Sequence, residues 1–456
     1  MNYKIIAPKK KKSYISNLKL VVFAFATAFF PRLLDAAGAP SAINFLHFVV
    51  VPVVFAVVLC TTKPQDLKQI AVSRSLLSGL MILFGVMTAS AFWNQAGIIN
   101  LILDFLLLAE PFMLLLALIC IPMSLASLQY LKRWIVISCL LNLALAYIQL
   151  PLLNAGLLPR GSLGIADAIQ GVFYLTTAGN YVSVSISVCF GLYYLTAAKT
   201  TPLWFRLLVL AAAGWQLIIS DSKQIILALI GAAILLILVN YQKPMKLLGY
   251  FVITVIGIYA FYWGIQNIEA FSAFANWLNR KELFGLDGEA VRVKTAAFRI
   301  VPTYYESLLN WLFGLGPGHT VGRLGGWMLE QYADLLTPLG ATIHPASDFI
   351  WHVIYQSWLA KESTMFSPFF GWAGIWGDLG LLGLGAYLYL AYLVWCYLCW
   401  DDLSRFWLLS ILVIGFIFTQ MEEPGYMLSM AMFIGLRWQE KIYKENNLNQ
   451  QLTISS

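Results

Sequence analysis

Two guanidinium groups stand seven residues apart in the segment from Glu289 to Arg299. On one helix that spacing would put Arg292 and Arg299 nearly on a common face. Such a pair suits an anion with paired phosphates, because a guanidinium fork grips two phosphate oxygens at once. Lipid headgroups, or the neighbouring Glu289 and Glu306, are the competing partners, and solvated pairs of that kind are common. Downstream, Gly314-Leu-Gly316-Pro-Gly318 is followed by His319. Three glycines around a proline make a tight turn that a ligand can approach closely. It is not a Walker loop, since no Gly-Lys-Ser/Thr follows, and a glycine-rich turn on its own says little about phosphate binding. Pro345 suits the first position of a helix, which would place Asp348 and His352 one turn apart. An acid orienting an imidazole is how a general base is built, and His344 beside them is a second candidate. An ordinary surface pair has the same spacing. His319, His344 and His352 show no ligand spacing, so no metal and no cofactor is expected.

The elements that must position these residues are membrane helices. The chain has 456 residues, 60% hydrophobic and 11% charged, with a mean hydropathy of +0.76. Soluble domains carry roughly 25% charged residues, so the solvent for this fold is lipid. The expected class is all-α, a polytopic bundle of about twelve spans. Apolar runs lie near 20–36, 43–61, 75–93, 97–127, 134–153, 171–197, 203–220, 224–241, 247–265, 368–400, 406–420 and 425–437. The run 97–127 is long enough to tilt or kink at Glu110-Pro111. Basic residues flank alternate ends: Lys9–Lys12, Lys68, Arg74, Lys132, Arg133, Lys199, Arg206, Arg405, Arg437 and Lys441 fall on one side. Only Arg32, Arg160 and Lys223 fall in short loops of the other. The positive-inside rule therefore predicts both termini in the cytoplasm and explains the net charge of +7 without nucleic acid.

Four regions result: an N-terminal membrane block 1–265, an outside loop 266–367, a C-terminal membrane block 368–437 and a tail 438–456. The loop carries Trp277, Trp311, Trp327, Trp351 and Trp358 among charges, a pattern for short amphipathic helices at the membrane surface. The tail after Tyr443 reads as disordered. Lys9–Lys12 precede an apolar run with no small-residue cleavage site, so the first span is expected to be retained. The six cysteines all fall in apolar runs, which argues against disulfides and makes Cys396 and Cys399 two small apolar residues. Acids within or beside spans are costly and are site candidates: Asp104, Glu110, Asp221, Asp378, Glu422 and Glu423. Asp104 and Glu110 keep a proton-coupled transporter in view.

Several motifs together resemble the O-antigen ligase and O-antigen polymerase superfamily of bacterial envelope polysaccharide assembly. They are Ser222-Lys223 opening a span, Arg292 and Arg299 in the outside loop, the turn Gly314/Gly316/Gly318, and Gly377-Asp378-Leu-Gly380-Leu-Leu-Gly383. The likeness in order and spacing covers about 215–400. Lysine stands at 223 where the family has arginine, and the histidine-asparagine pair of ligases is replaced near Ser367-Pro368-Phe369. A polymerase-like member fits better than a ligase. The resemblance implies a metal-independent membrane glycosyltransferase of the bacterial inner membrane, with the loop periplasmic. It would move a glycan from a polyprenyl-pyrophosphate-linked oligosaccharide to an acceptor glycan or glycolipid, as in exopolysaccharide biosynthesis, alongside other polysaccharide export and assembly proteins. It implies pyrophosphate binding by Lys223, Arg292 and Arg299, with His344, His352 or Asp348 as base. A polysaccharide or lipid-linked glycan transporter is the alternative. Cysteines introduced within 266–367 are expected to react with a membrane-impermeant maleimide on spheroplasts, and cysteines at Lys132 or Lys199 only after lysis.

Overall fold

The computed structural model describes residues 16–62, 67–176, 178–240, 244–268, 271, 274–275, 280–285 and 287–455. Lys9–Lys12 and Trp277 lie outside them. The described residues are helical and contain no strand. The first half comprises α1 (Asn17–Phe29), α2 (Pro31–Ala36), α3 (His47–Thr61), α4 (Leu67–Trp93), α5 (Ile98–Cys120) and α6 (Leu125–Asn154). Then follow α7 (Gly179–Ala197), α8 (Leu203–Ile219), α9 (Gln224–Val239) and α10 (Pro244–Asn267). Short helices occupy the next hundred residues: α11 (Glu289–Lys294), α12 (Ala296–Ile300), α13 (Leu309–Phe313), α14 (Leu329–Gln331), α15 (Ala333–Leu336), α16 (Pro345–Gln356) and α17 (Trp358–Glu362). Three long ones close the chain, α18 (Gly371–Tyr397), α19 (Asp402–Ile414) and α20 (Pro424–Ser455).

Six helical stretches of the described residues are long and apolar enough to cross a membrane: Ser41–Thr61, Leu67–Trp93, Ile98–Cys120, Leu125–Asn154, Leu248–Asn267 and Gly371–Tyr397. Shorter apolar helices are Asn17–Phe29, Leu203–Ile219 and Gln224–Val239. The hub is α5, whose side chains are buried along nearly its whole length against α3, α4 and α20. A helix apolar all round belongs at the centre of a bundle. Around it α4 packs on α18, α7 on α8, and α9 on α19, while α10 leans on α9 with most of its apolar surface outward. One core of packed side chains runs from Leu18 and Val58 through Leu315, Val321 and Ala346 to Trp372 and Ile442.

The expected element boundaries shift where proline or polar residues intervene. The run 20–36 is two helices, because Pro31 lacks the N–H needed to continue α1 and instead starts α2. The run 97–127 does not persist as one element: α5 carries Pro111 internally and stops at Cys120, before Pro122. In the run 171–197 the helix begins only at Gly179. The tail expected to be disordered is instead the end of α20, which continues to Ser455. Its Glu and Lys residues are good helix formers, with Lys441 and Glu445 one turn apart at 3.7 Å and Lys68 of α4 at 3.8 Å from Glu445. All six cysteines are free thiols.

The most consequential irregularity is in α18. Gly380 has φ +65° inside it, so the ladder breaks there, a conformation that costs a non-glycine residue. A Cβ at this position would also collide with the Leu312 carbonyl carbon at the end of α13. Gly380→Ala is therefore expected to destabilise the protein by about 2 kcal/mol or more, read as a lowered thermal midpoint in lipid nanodiscs. Gly214→Ala in α8, where an added Cβ meets nothing, should leave the midpoint unchanged or slightly raised.

Candidate functional site

The glycine turn and the broken helix are one joint. The N–H groups of Leu315 and Gly316 donate to the carbonyls of Gly377 and Asp378, both at 2.9 Å. These carbonyls are free to accept because the break at Gly380 interrupts their helical partners. The Asp378 carboxylate turns back and accepts the Gly318 N–H at 3.0 Å and the Thr320 hydroxyl at 2.6 Å. Gly314, Gly316 and Gly318 all have positive φ, which permits this curl. A Cβ on Gly377 would stand 2.5 Å from Thr320 Oγ1, so the approach also needs glycine on the helix side. Ser90 of α4 places its hydroxyl between the carbonyls of Phe313, at 2.5 Å, and Asp378, at 3.0 Å. Asn100 of α5 binds Pro317 O at 3.1 Å and clasps residue 342 through Thr342 N–H and O, each at 2.9 Å. Long-range pairing of this sort holds the turn inside the bundle.

His319 completes the joint. Its Nδ1 lies 2.8 Å from Leu315 O, which assigns the proton to Nδ1, and its Nε2 lies 2.8 Å from the Thr342 hydroxyl. Thr342 Oγ1 in turn accepts the Gly97 N–H at 2.9 Å, leaving its own hydrogen for His319. Burial pulls the His319 imidazole down to about 4, against the Leu315 contact and with help from His344. The ring is a neutral structural tie.

Beyond the turn the chain passes Gly322 and Arg323 and enters a π-helical turn, Leu324–Met328, a conformation common at functional sites. The Arg323 N–H donates to Glu422 Oε2, its guanidinium pairs with Glu423, and it lies 5.0 Å from the Trp327 ring centre. Burial first, then the Arg32 guanidinium, pulls Arg323 down to about 9, with Glu422 opposing. It remains a cation at neutral pH. A small cavity is lined by Arg32, Arg323, Asn44, His47, Trp327 and Tyr332. Arg32 stands 3.7 Å from Asp35 with its side chain only a quarter exposed. At the cavity wall His47 Nδ1 meets Glu110 Oε2 at 2.7 Å, both buried. Asp104, Asp378 and Glu422 are buried and interact electrostatically with one another. Among the described residues no His/Cys/Asp/Glu group is arranged to hold a metal ion.

The residues singled out in the sequence fall at several places. Gly314, Gly316, Gly318 and Asp378 meet in the joint. Arg292 and Arg299 do not share one helix, since Thr295 separates α11 from α12. They still adjoin, with Arg299 donating to the Arg292 carbonyl, while Arg292 pairs with Glu289 at 2.8 Å and is half exposed. Lys223 is buried beside Asp221 at 2.5 Å. The helix from Pro345 forms as expected, with His344 capping it by accepting the Ala346 N–H at 3.1 Å. Burial lowers the His344 pKa, with Asp348 opposing. His352 is an outward residue whose ring nitrogen lies 2.7 Å from the Gln356 amide rather than pairing with Asp348. Sequence reasoning passed over Arg323, whose signal was its position directly after the glycine turn. It also passed over Arg32, whose signal was its being a rare cation among the short loops of its side.

No protein-family model and no curated protein matches the chain. The geometry of the joint has a direct pH consequence. The His319 pKa is lower folded than unfolded, so its contribution is present above about 6.5 and is lost as pH falls toward 4. The thermal midpoint is expected to fall over that window, and the fall should shrink in His319→Gln, measured by unfolding scans across pH.

Proposed function

We propose that this protein elongates or attaches lipid-linked glycans at the outer face of a bacterial inner membrane. It would transfer a sugar chain from a polyprenyl-pyrophosphate carrier to an acceptor hydroxyl without metal. In this reading the chain crosses the membrane about twelve times with both termini cytoplasmic, and the joint lies at the outer headgroup level. The observation that carries the reading is Arg323, a largely buried guanidinium that lines a small cavity together with Arg32. The two guanidiniums, held by Glu423 and Asp35 in the structure, would exchange those partners for a departing diphosphate, whose growing charge they would stabilise by an electrostatic effect of about 2.7–4 kcal/mol per donor. Arg292 and Arg299, adjoining on α11 and α12, offer a second cationic patch, and Lys223 a third cation. Polymerase-like growth of a carrier-linked repeat is favoured over ligation to a lipid core, since the ligase histidine-asparagine pair is not where the family has it.

A proton-coupled glycan transporter is the second reading, favoured by the buried His47–Glu110 pair inside the bundle. The two are separated by supplying the purified protein in detergent, where no transport is possible, with carrier-linked repeats. Longer carrier-linked chains and released diphosphate carrier support the transferase. Arg323→Ala is expected to cut that synthesis at least 100-fold, and Arg32→Ala about tenfold, while both proteins still reach the membrane. Normal chain growth in Arg323→Ala would remove the cavity from the mechanism, and no growth by the native protein would remove the transferase.

A further inference from the structure

The carboxyl groups beneath the glycine turn have no task in the anion-binding reading, yet they are too costly to be idle. Asp104, Asp378 and Glu422 come from α5, α18 and the turn before α20. Each is buried. Asp378 is satisfied by Gly318 and Thr320, and Glu422 Oε2 by the Arg323 N–H. By contrast, Asp104 Oδ2 and Glu422 Oε1 have no hydrogen-bond partner among the described residues. Gly322 defines where the groups converge: a Cβ there would stand 3.2 Å from Glu422 Oε2 and 3.4 Å from Asp378 Oδ2. The same Cβ would stand 3.5 Å from the unpartnered Glu422 Oε1. Two carboxylates from different elements thus face one glycine, and Asp104 adds a third within electrostatic reach of both. The Arg323 guanidinium attracts Glu422 but is itself ion-paired with Glu423 and lies over the Trp327 ring, so one cation is shared between two acids.

Ionising all three buried carboxyls is opposed both by desolvation and by their mutual repulsion. They do not form a metal-ligating group. A proton would satisfy the unpartnered oxygens Asp104 Oδ2 and Glu422 Oε1 from within the protein, by turning a carboxyl into a donor. We propose that Asp104, Asp378 and Glu422 form one shared proton-accepting site under Gly322. Resting on the transferase reading, the site takes the proton released when the glycosidic bond forms. The acceptor hydroxyl oxygen bonds to the anomeric carbon, and the bond from that carbon to the diphosphate oxygen breaks. The diphosphate leaves with the electron pair, and the hydroxyl proton passes to the carboxyl site. Glu422 is the member nearest the cationic cavity, being joined to it through the Arg323 backbone. The other titratable and charged groups facing the site are Arg323 and Glu423, with Tyr305 towards Asp378 and Tyr387 towards Glu422. The His47–Glu110 pair lies further along α3 and α5.

The test uses the full chain in lipid nanodiscs and two readouts. Infrared difference spectra over a pH titration should show a protonated-carboxyl band that Asp104→Asn and Glu422→Gln each diminish. Each variant should also shift the midpoint of what remains, because the groups are coupled. In the elongation assay, Glu422→Gln is expected to lower kcat about 100-fold with KM for the carrier-linked glycan within about twofold, and to abolish the acid limb of the pH profile. A band indifferent to both substitutions, or acids that titrate independently, overturns the shared site. A coupled band in a protein that elongates nothing keeps the proton site and sinks the transferase. Elongation with an unaltered pH profile in Glu422→Gln keeps the transferase and removes the site from its chemistry.

Discussion

The Asp378 carboxylate, held inside a broken helix by Gly318 and Thr320, is the contact on which the rest of this structure depends. A buried carboxylate is tolerable only with donors, and these two come from a turn sixty residues away in the chain. To bring them in, α18 must break at Gly380 and the turn must curl through three positive-φ glycines. The constraint is therefore mutual: without the curl the acid is unpaired, and without the break the curl has nothing to dock on. Ser90 and Asn100 then fasten the assembly to α4 and α5, and His319 ties the Leu315 carbonyl of the turn to Thr342.

Because the turn is fastened inside, the residues after it are carried into the bundle as well. Gly322 can lie against Gly374 and two acids only because neither glycine has a side chain. Arg323 follows directly and arrives buried, where its charge is satisfied by Glu423 and the Trp327 ring face. Cations at the cavity and acids beneath the turn are thus neighbours by construction.

Lys294 shows how the segment between α10 and α18 is tied down elsewhere. Its ammonium donates to the carbonyls of Met365, Ser367 and Ile417 at 3.1, 3.1 and 2.9 Å, and lies 4.7 Å from the Phe370 ring centre. Burial pulls it down to about 7. Its two neighbours on the sequence pattern, Arg292 and Arg299, look equivalent in composition but lie at a more exposed surface. Charge type and spacing do not distinguish a clasp from a surface patch, since that depends on which carbonyls the fold leaves unpaired nearby.

Composition and apolar run length determined the all-helical, membrane-type character, because so few charges leave lipid as the only compatible solvent. The glycines of 314–318 were also legible as a tight turn open to close approach, and Asp104, Asp378 and Glu422 as costly acids. Proline positions set helix ends that hydropathy alone blurred, at Pro31 and Pro122. What the tertiary structure decided was company: that the two glycine motifs are halves of one joint, that His319 is a tie, and that His352 turns outward. Arg323 is largely buried where Arg292 and Arg299 are exposed, and that burial comes with contacts from the turn before α20. Those contacts join residues up to a hundred positions apart, a separation over which local pattern carries no information about which side chains meet.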